Sequence, residues 1–211
     1  MSRSHEETVA LLLERFDRTY AQEAGIELAN TPAPLYQLLV LANLLSARIG
    51  APAAVATARE LFAAGFRTPS AMRAAPRRAR IAALGRGGYR RYDERTATML
   101  ADGADLLLER YDGDLRRLRD ASASPREILR LLQEFPGIGP TGAAIFAREA
   151  QGVWTALAPF FDAKALAGAR KVGLPDEAAR LADLVPPARL PVLASALVRV
   201  ALHRGSGDPL A

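Results

Sequence analysis

The sequence has no cysteine, two histidines and two lysines in 211 residues. The missing thiols exclude disulfides, thiolate zinc sites, iron–sulfur clusters and a cysteine nucleophile. His5 and His203 are too few for a histidine metal centre, so no metal site is expected. No stretch of about 18 uncharged apolar residues occurs, so no membrane span is expected. Met1 to Glu7 is polar and charged and lacks the apolar core of a secretion signal, so a cytoplasmic chain is expected. No segment alternates apolar and polar residues as a half-buried strand would.

What remains is half hydrophobic and 24% charged, enough to bury a core. Of the 28 basic residues, all but Lys164 and Lys171 are arginine. Nine arginines (67, 73, 77, 78, 80, 86, 90, 91 and 95) stand between Phe66 and Arg95 against two acids, Asp93 and Glu94. That stretch nets +7 and the rest of the chain −2. Such a local field attracts polyanions; an ordinary solvated helix surface is the alternative.

The periodicity is helical throughout, so the fold class is all-α. Val9, Leu12, Leu13 and Phe16 mark one amphipathic helix. Leu35–Leu45 is apolar all round, as a central buried helix is. Thr57–Phe62 suggests a further helix, and Pro69 and Pro76 open two short ones. Gly85-Arg86-Gly87-Gly88-Tyr89 is expected to be a flexible basic loop before a long helix, Asp93–Tyr111. Ser124-Pro125-Arg126-Glu127 carries a helix start with a capping box.

The most informative stretch is Leu131 to Ala144. An apolar helix ends, Pro136-Gly137 turns the chain, Ile138 is an apolar peg, and Gly139 lets a second helix start tightly. Free amide N–H groups and the positive helix end make such a bend an anion site. It would hold phosphate without reading bases.

This pattern resembles the helix-hairpin-helix motif of the base-excision DNA glycosylase superfamily typified by endonuclease III. Leu35 to Arg48, with its Leu44-Leu45-Ser46-Ala47 ending, is similar to that family's first barrel helix. The resemblance runs from about Pro34 to Leu174. It implies two lobes, with a helical barrel over 32–152 and a second helical domain from 1–31 plus 153–211. Double-stranded DNA would lie in a cleft between them, bound by a monomer. It also implies backbone contacts from Gly137, Ile138, Gly139, Thr141 and Gly142, and it leaves room for a monovalent cation at the hairpin. A nucleoid-associated protein of base-excision repair is what it points to.

Asp162, after Pro159-Phe160-Phe161, matches the family's essential carboxylate in character. There it would stabilise positive charge at C1′ or activate water; a plain helix N-cap is the alternative. About three extra residues separate it from the hairpin relative to endonuclease III, within 151–157. Bifunctional relatives carry a Schiff-base lysine where this chain has Thr141. The resemblance therefore implies a monofunctional glycosylase that leaves an abasic site. Lys164 follows the acid and is given no role. Arg48 occupies the position from which a side chain fills the emptied duplex, or is a surface arginine at a helix end. Arg86, Arg90 and Arg91 join it as a DNA patch. Tyr89, Tyr92 and Trp154 are candidates to stack on a flipped base, or are core and rim aromatics. His203 is expected to be structural. Many relatives end in a four-cysteine iron–sulfur loop, which a cysteine-free chain cannot build. A non-catalytic DNA binder and a helical protein scaffold remain as rival functions.

Overall fold

A computed structural model describes residues 3–203, 205, 207 and 210. The described residues are helical without a strand, in agreement with the all-α expectation. They form α1 (His5–Arg15), α2 (Tyr20–Glu23), α3 (Pro32–Ser46), α4 (Ala51–Ala63), α5 (Pro69–Ala74), α6 (Arg77–Arg86) and α7 (Asp93–Tyr111). There follow α8 (Leu115–Asp120), α9 (Pro125–Leu132), α10 (Pro140–Ala150), α11 (Ala163–Lys171), α12 (Ala178–Ala182) and α13 (Leu190–Leu202).

The chain divides into two compact units, residues 21–146 and residues 1–20 with 147–211. The observed division thus falls before both boundaries expected from the sequence, 32 and 152. Ala21, Ala24 and Ile26 are buried and belong to the 21–146 unit.

In that unit α3 is the core. Its residues Leu35–Leu44 are all buried, which is why the sequence there shows no polar face. Helices α4 and α8 pack on α3, while α7 packs on α5, α6 and α8. Each fully buried leucine contributes on the order of 1.5–3 kcal/mol.

The segment 85–89 differs from the flexible loop expected. It is the ordered end of α6: Gly88 takes φ +88°, its N–H donates to Gly85 O and the Tyr89 N–H donates to Leu84 O. This paired capping satisfies the last carbonyls of the helix. At α9, Ser124 caps Glu127 N–H, but the Glu127 carboxylate accepts from Ala123 N–H instead of closing the box on Ser124. The reciprocal box forms at α1, between Ser4 and Glu7.

In the other unit α13 is buried along most of its length and packs on α1 and α11. The approach to α11 is close enough to require glycine, because a Cβ at Gly168 would lie 1.9 Å from Leu197 O.

Candidate nucleic-acid interface and carboxylate site

The hairpin between α9 and α10 is built on α3. Phe135 and Ile138 are buried, while Gly137, Gly139, Pro140 and Thr141 are exposed. Gly137 takes φ +81°, and a Cβ there would lie 2.3 Å from Asn43 Nδ2. That amide nitrogen donates to Pro136 O at 3.0 Å, and the Ser46 hydroxyl donates to Asn43 O at 2.8 Å. A polar pair from α3 therefore fixes the bend from beneath. Gly142 is buried and seats the Ile138 side chain, whose Cδ1 and Cγ2 lie 3.3 Å from where its Cβ would be.

The turn amides divide by their partners. Ile138 N–H donates to Phe135 O and Ala143 N–H to Gly139 O, both at 3.0 Å. Among the described residues no backbone carbonyl receives the N–H of Gly139, Thr141 or Gly142. A Cβ at Gly139 would meet nothing within 4 Å. The fold itself leaves room for a side chain there, and glycine keeps the exposed amide open to a close-lying group.

The nine arginines of 67–95 do not form one free patch. Arg80 is buried and donates to Met72 O and Ala97 O, and burial lowers its pKa. Arg67 donates to Phe62 O. Arg73, Arg77 and Arg86 pair with Asp105, Glu94 and Glu60. Arg86 is thus an exposed ion-paired residue, with Glu60 at 2.7 Å. Arg48, Arg90, Arg91 and Arg95 are exposed and have no acidic partner among the described residues.

Three of those four line one cavity of about 430 Å³, wholly within the 21–146 unit. Its lining includes Ser46, Arg48 and Ile49 from the end of α3 and the turn after it, and Tyr89, Arg91, Tyr92, Arg95 and Met99 from the approach to α7 and its first turns. Tyr89 is buried and its hydroxyl accepts from Thr96 Oγ1 at 2.9 Å, so it is a wall residue rather than a mobile stacker. Tyr92 is 59% exposed, with the Arg91 guanidinium 5.0 Å from its ring centroid. Trp154 is 2% exposed and belongs to the core of the other unit.

Asp162 lies in that other unit, at the N-cap of α11. Its Oδ1 accepts from Ala165 N–H at 2.8 Å, and its Oδ2 accepts from the Arg148 guanidinium. The carboxylate side chain is 12% exposed and that of Arg148 is 3% exposed. Gln151 sets this geometry: its amide donates to Arg148 O and Phe160 O and accepts from Phe160 N–H, each at 2.9 Å. The clamp ties the end of α10 to Phe160, two residues before Asp162, across the 151–157 segment. Next to Arg148, the buried Glu149 carboxylate accepts from Ser195 Oγ and Tyr20 N–H. Lys164 and Thr141 are both exposed.

Asn43, Arg148 and Gln151 were not singled out in the sequence. The available signals were one of two amides, with Gln37, in the apolar run of α3 and the charges Arg148 and Glu149 in the apolar run of α10; Gln151, just past α10, carried none. His203 ends α13, where its carbonyl accepts from Lys171 Nζ at 2.7 Å. Among the described residues no group of three or more His, Asp or Glu side chains could hold a metal, and no helix is long and apolar enough to cross a membrane.

No protein-family model and no curated protein matches the chain. Solved structures do. One is a trapped endonuclease III–DNA covalent intermediate, an estranged-adenine complex; it is 16% identical, with a TM-score of 0.53 over 93% of this chain and 85% of that one. Another is a non-covalent endonuclease III–DNA complex, 16% identical, with a TM-score of 0.54 over 90% and 81%. The chain has the endonuclease III fold. On this endonuclease III-like scaffold the hairpin bend and the N-capping Asp162 are both present. The chain has no cysteine and so offers no thiolate ligand to a metal or an iron–sulfur cluster.

Proposed function

We propose that this chain binds double-stranded DNA through the 135–142 hairpin and hydrolyses the N-glycosidic bond of a damaged or mismatched base. Asp162 is the essential carboxylate, and the product is an abasic site. The observation that carries the proposal is the exposed bend with open amides at Gly139 and Thr141, held in place by Asn43. Open amides at a helix start favour a phosphate and place no demand on sequence. In both similar solved structures endonuclease III is bound to DNA, which supports carrying duplex binding to this chain.

The chemistry follows from the side chains present. A carboxylate has about four acceptor positions, and Asp162 uses two of them. The remaining lone pairs can orient a water or face the positive charge that grows at C1′ as the bond breaks. Thr141 has no amine, so no imine forms there and the strand is not cleaved. Hydrolysis needs no redox cofactor. Such an enzyme would act as a soluble monomer on chromosomal DNA.

One observation favours a second reading, in which the chain binds DNA without cutting the glycosidic bond: the Arg148 guanidinium already neutralises Asp162. The deciding experiment incubates the protein with duplexes carrying uracil, oxidised or alkylated bases and looks for abasic sites. Activity that disappears in Asp162→Asn while DNA affinity persists supports the enzyme. Duplex binding with no base released from any substrate supports the second reading. Borohydride should trap no covalent adduct on abasic DNA in either case, and a high-yield adduct would contradict the assignment of Thr141.

A further inference from the structure

The Arg48–Arg91–Arg95 cavity has features that base excision does not require. Arg48, Arg91 and Arg95 line about 430 Å³ with no acid in the lining, while Arg73, Arg77 and Arg86 of the same basic stretch are each paired. The volume is in the range of a small-ligand pocket and suits a single nucleotide. Tyr92 stands at the rim in a left-handed conformation, φ 66°, which is costly for a bulky residue. That conformation leaves its ring exposed and backed by the Arg91 guanidinium, a platform on which a base can stack.

The charge count decides the ligand. A nucleobase is neutral and an internal phosphodiester carries one charge and continues as chain on both sides. A terminal phosphomonoester carries about −1.5 to −2 at pH 7 and has one free end. Three arginines without an acidic partner around a half-open recess match the terminal group in charge, the open side admits a chain end, and arginine forks bind its oxygens in pairs.

We propose that this cavity receives the terminal nucleotide at a DNA strand break, with its phosphomonoester on Arg48, Arg91 and Arg95 and its base on Tyr92. This inference rests on the duplex-binding reading above, and adds a preference for broken, phosphorylated strands. The cavity and the hairpin share α3: Ser46 lines the cavity wall and its hydroxyl lies 3.5 Å from Gly137 O. A duplex held at the bend is therefore held beside the cavity.

The test compares four probes with the full chain by fluorescence anisotropy at fixed salt: an intact duplex and three nicked duplexes bearing 5′-phosphate, 3′-phosphate or only hydroxyls. Free deoxyadenosine monophosphate is the competitor. The expected result is that one phosphorylated nick binds at least tenfold more tightly than the hydroxyl nick. In Arg48→Gln/Arg95→Gln that ratio falls to about one, whatever the general loss of affinity from the removed charges. Circular dichroism confirms that the variant is folded, and Tyr92→Ala, which changes no charge, should also lower the ratio. An intact duplex that binds while neither phosphate is preferred overturns this inference and leaves the duplex reading standing. Failure to bind any duplex overturns both. A preference that survives in the double variant shows the phosphate is held elsewhere. Free nucleotide binding as tightly as the nick reassigns the cavity to a small molecule and overturns the strand-break proposal.

Discussion

Gly137 and Gly139 sit two residues apart in the hairpin, and replacing each with alanine should separate folding from DNA contact. At Gly137 the left-handed backbone costs an alanine about 1–2 kcal/mol. The new Cβ would also lie 2.3 Å from Asn43 Nδ2, so the hydrogen bond to Pro136 O must break or the bend must move. A lost buried hydrogen bond adds about 1 kcal/mol. The total is about 3 kcal/mol, or about 6–12 °C of melting temperature for a chain of this size. At Gly139 a Cβ meets no protein atom. The cost there is at most about 1 kcal/mol, because alanine is a poorer N-cap than glycine. The same Cβ stands in front of an open amide, and losing one charge-assisted hydrogen bond to phosphate lowers affinity about tenfold or more. Thermal melts followed by circular dichroism, with anisotropy titrations of an intact duplex, read both effects. The reasoning is refuted if Gly137→Ala melts within 1 °C of the native protein, or if Gly139→Ala binds duplex unchanged.

Three further outcomes are expected. Arg148→Met leaves Asp162 without its buried counter-charge and should cost about 3 kcal/mol; Arg148→Met/Asp162→Leu should recover most of that, and an additive double mutant in chemical denaturation would show the pair is uncoupled. The Tyr36 hydroxyl is buried without a partner, and burial moves its ionisation far above the usual phenol range. Tyr36→Phe should therefore raise stability by about 1 kcal/mol, whereas a clear loss in denaturant midpoint would reveal a bond that the hydroxyl makes. The hydrogen bonds from Arg116 hold the Asp114 carboxyl below its ordinary range. Its folded pKa lies below the unfolded value of about 3.9, so its stabilisation is full above that pH and disappears as pH falls through the folded value. The melting difference between the native protein and Asp114→Asn should be constant near neutrality and shrink in acid as the folded carboxyl takes up its proton; a gap that widens in acid would reverse the sign.

Long, one-sided patterns were legible in the sequence. Helix α7 and the buried length of α3 follow from apolar spacing, and the hairpin follows from Phe-Pro-Gly-Ile-Gly between two apolar helices. Helix α8 was not legible, because Leu-Arg-Arg-Leu-Arg-Asp carries only two apolar positions and takes its helicity from packing on α3 and α7. The segment 85–89 looked like a loop because glycines that permit flexibility also terminate helices, and only the partners of Gly88 and Tyr89 distinguish the two. At the site, the type of residue was readable but its pairing was not. Asp162 was visible both as an acid and as a cap. Its bond to Arg148 and the Gln151 clamp depend on contacts across 9 to 14 positions that no local pattern encodes. Likewise the arginine-rich stretch showed net charge, while its division into paired and unpaired members required Glu60, Glu94 and Asp105 to be placed in space.

The most direct test of the central claim is to follow the amide signals of Gly139 and Thr141 by NMR while an intact duplex is titrated in at low salt. The account predicts that these two amides shift and gain protection from solvent exchange, and that both effects fade as salt is raised. Duplex binding that leaves both amides unperturbed would contradict it.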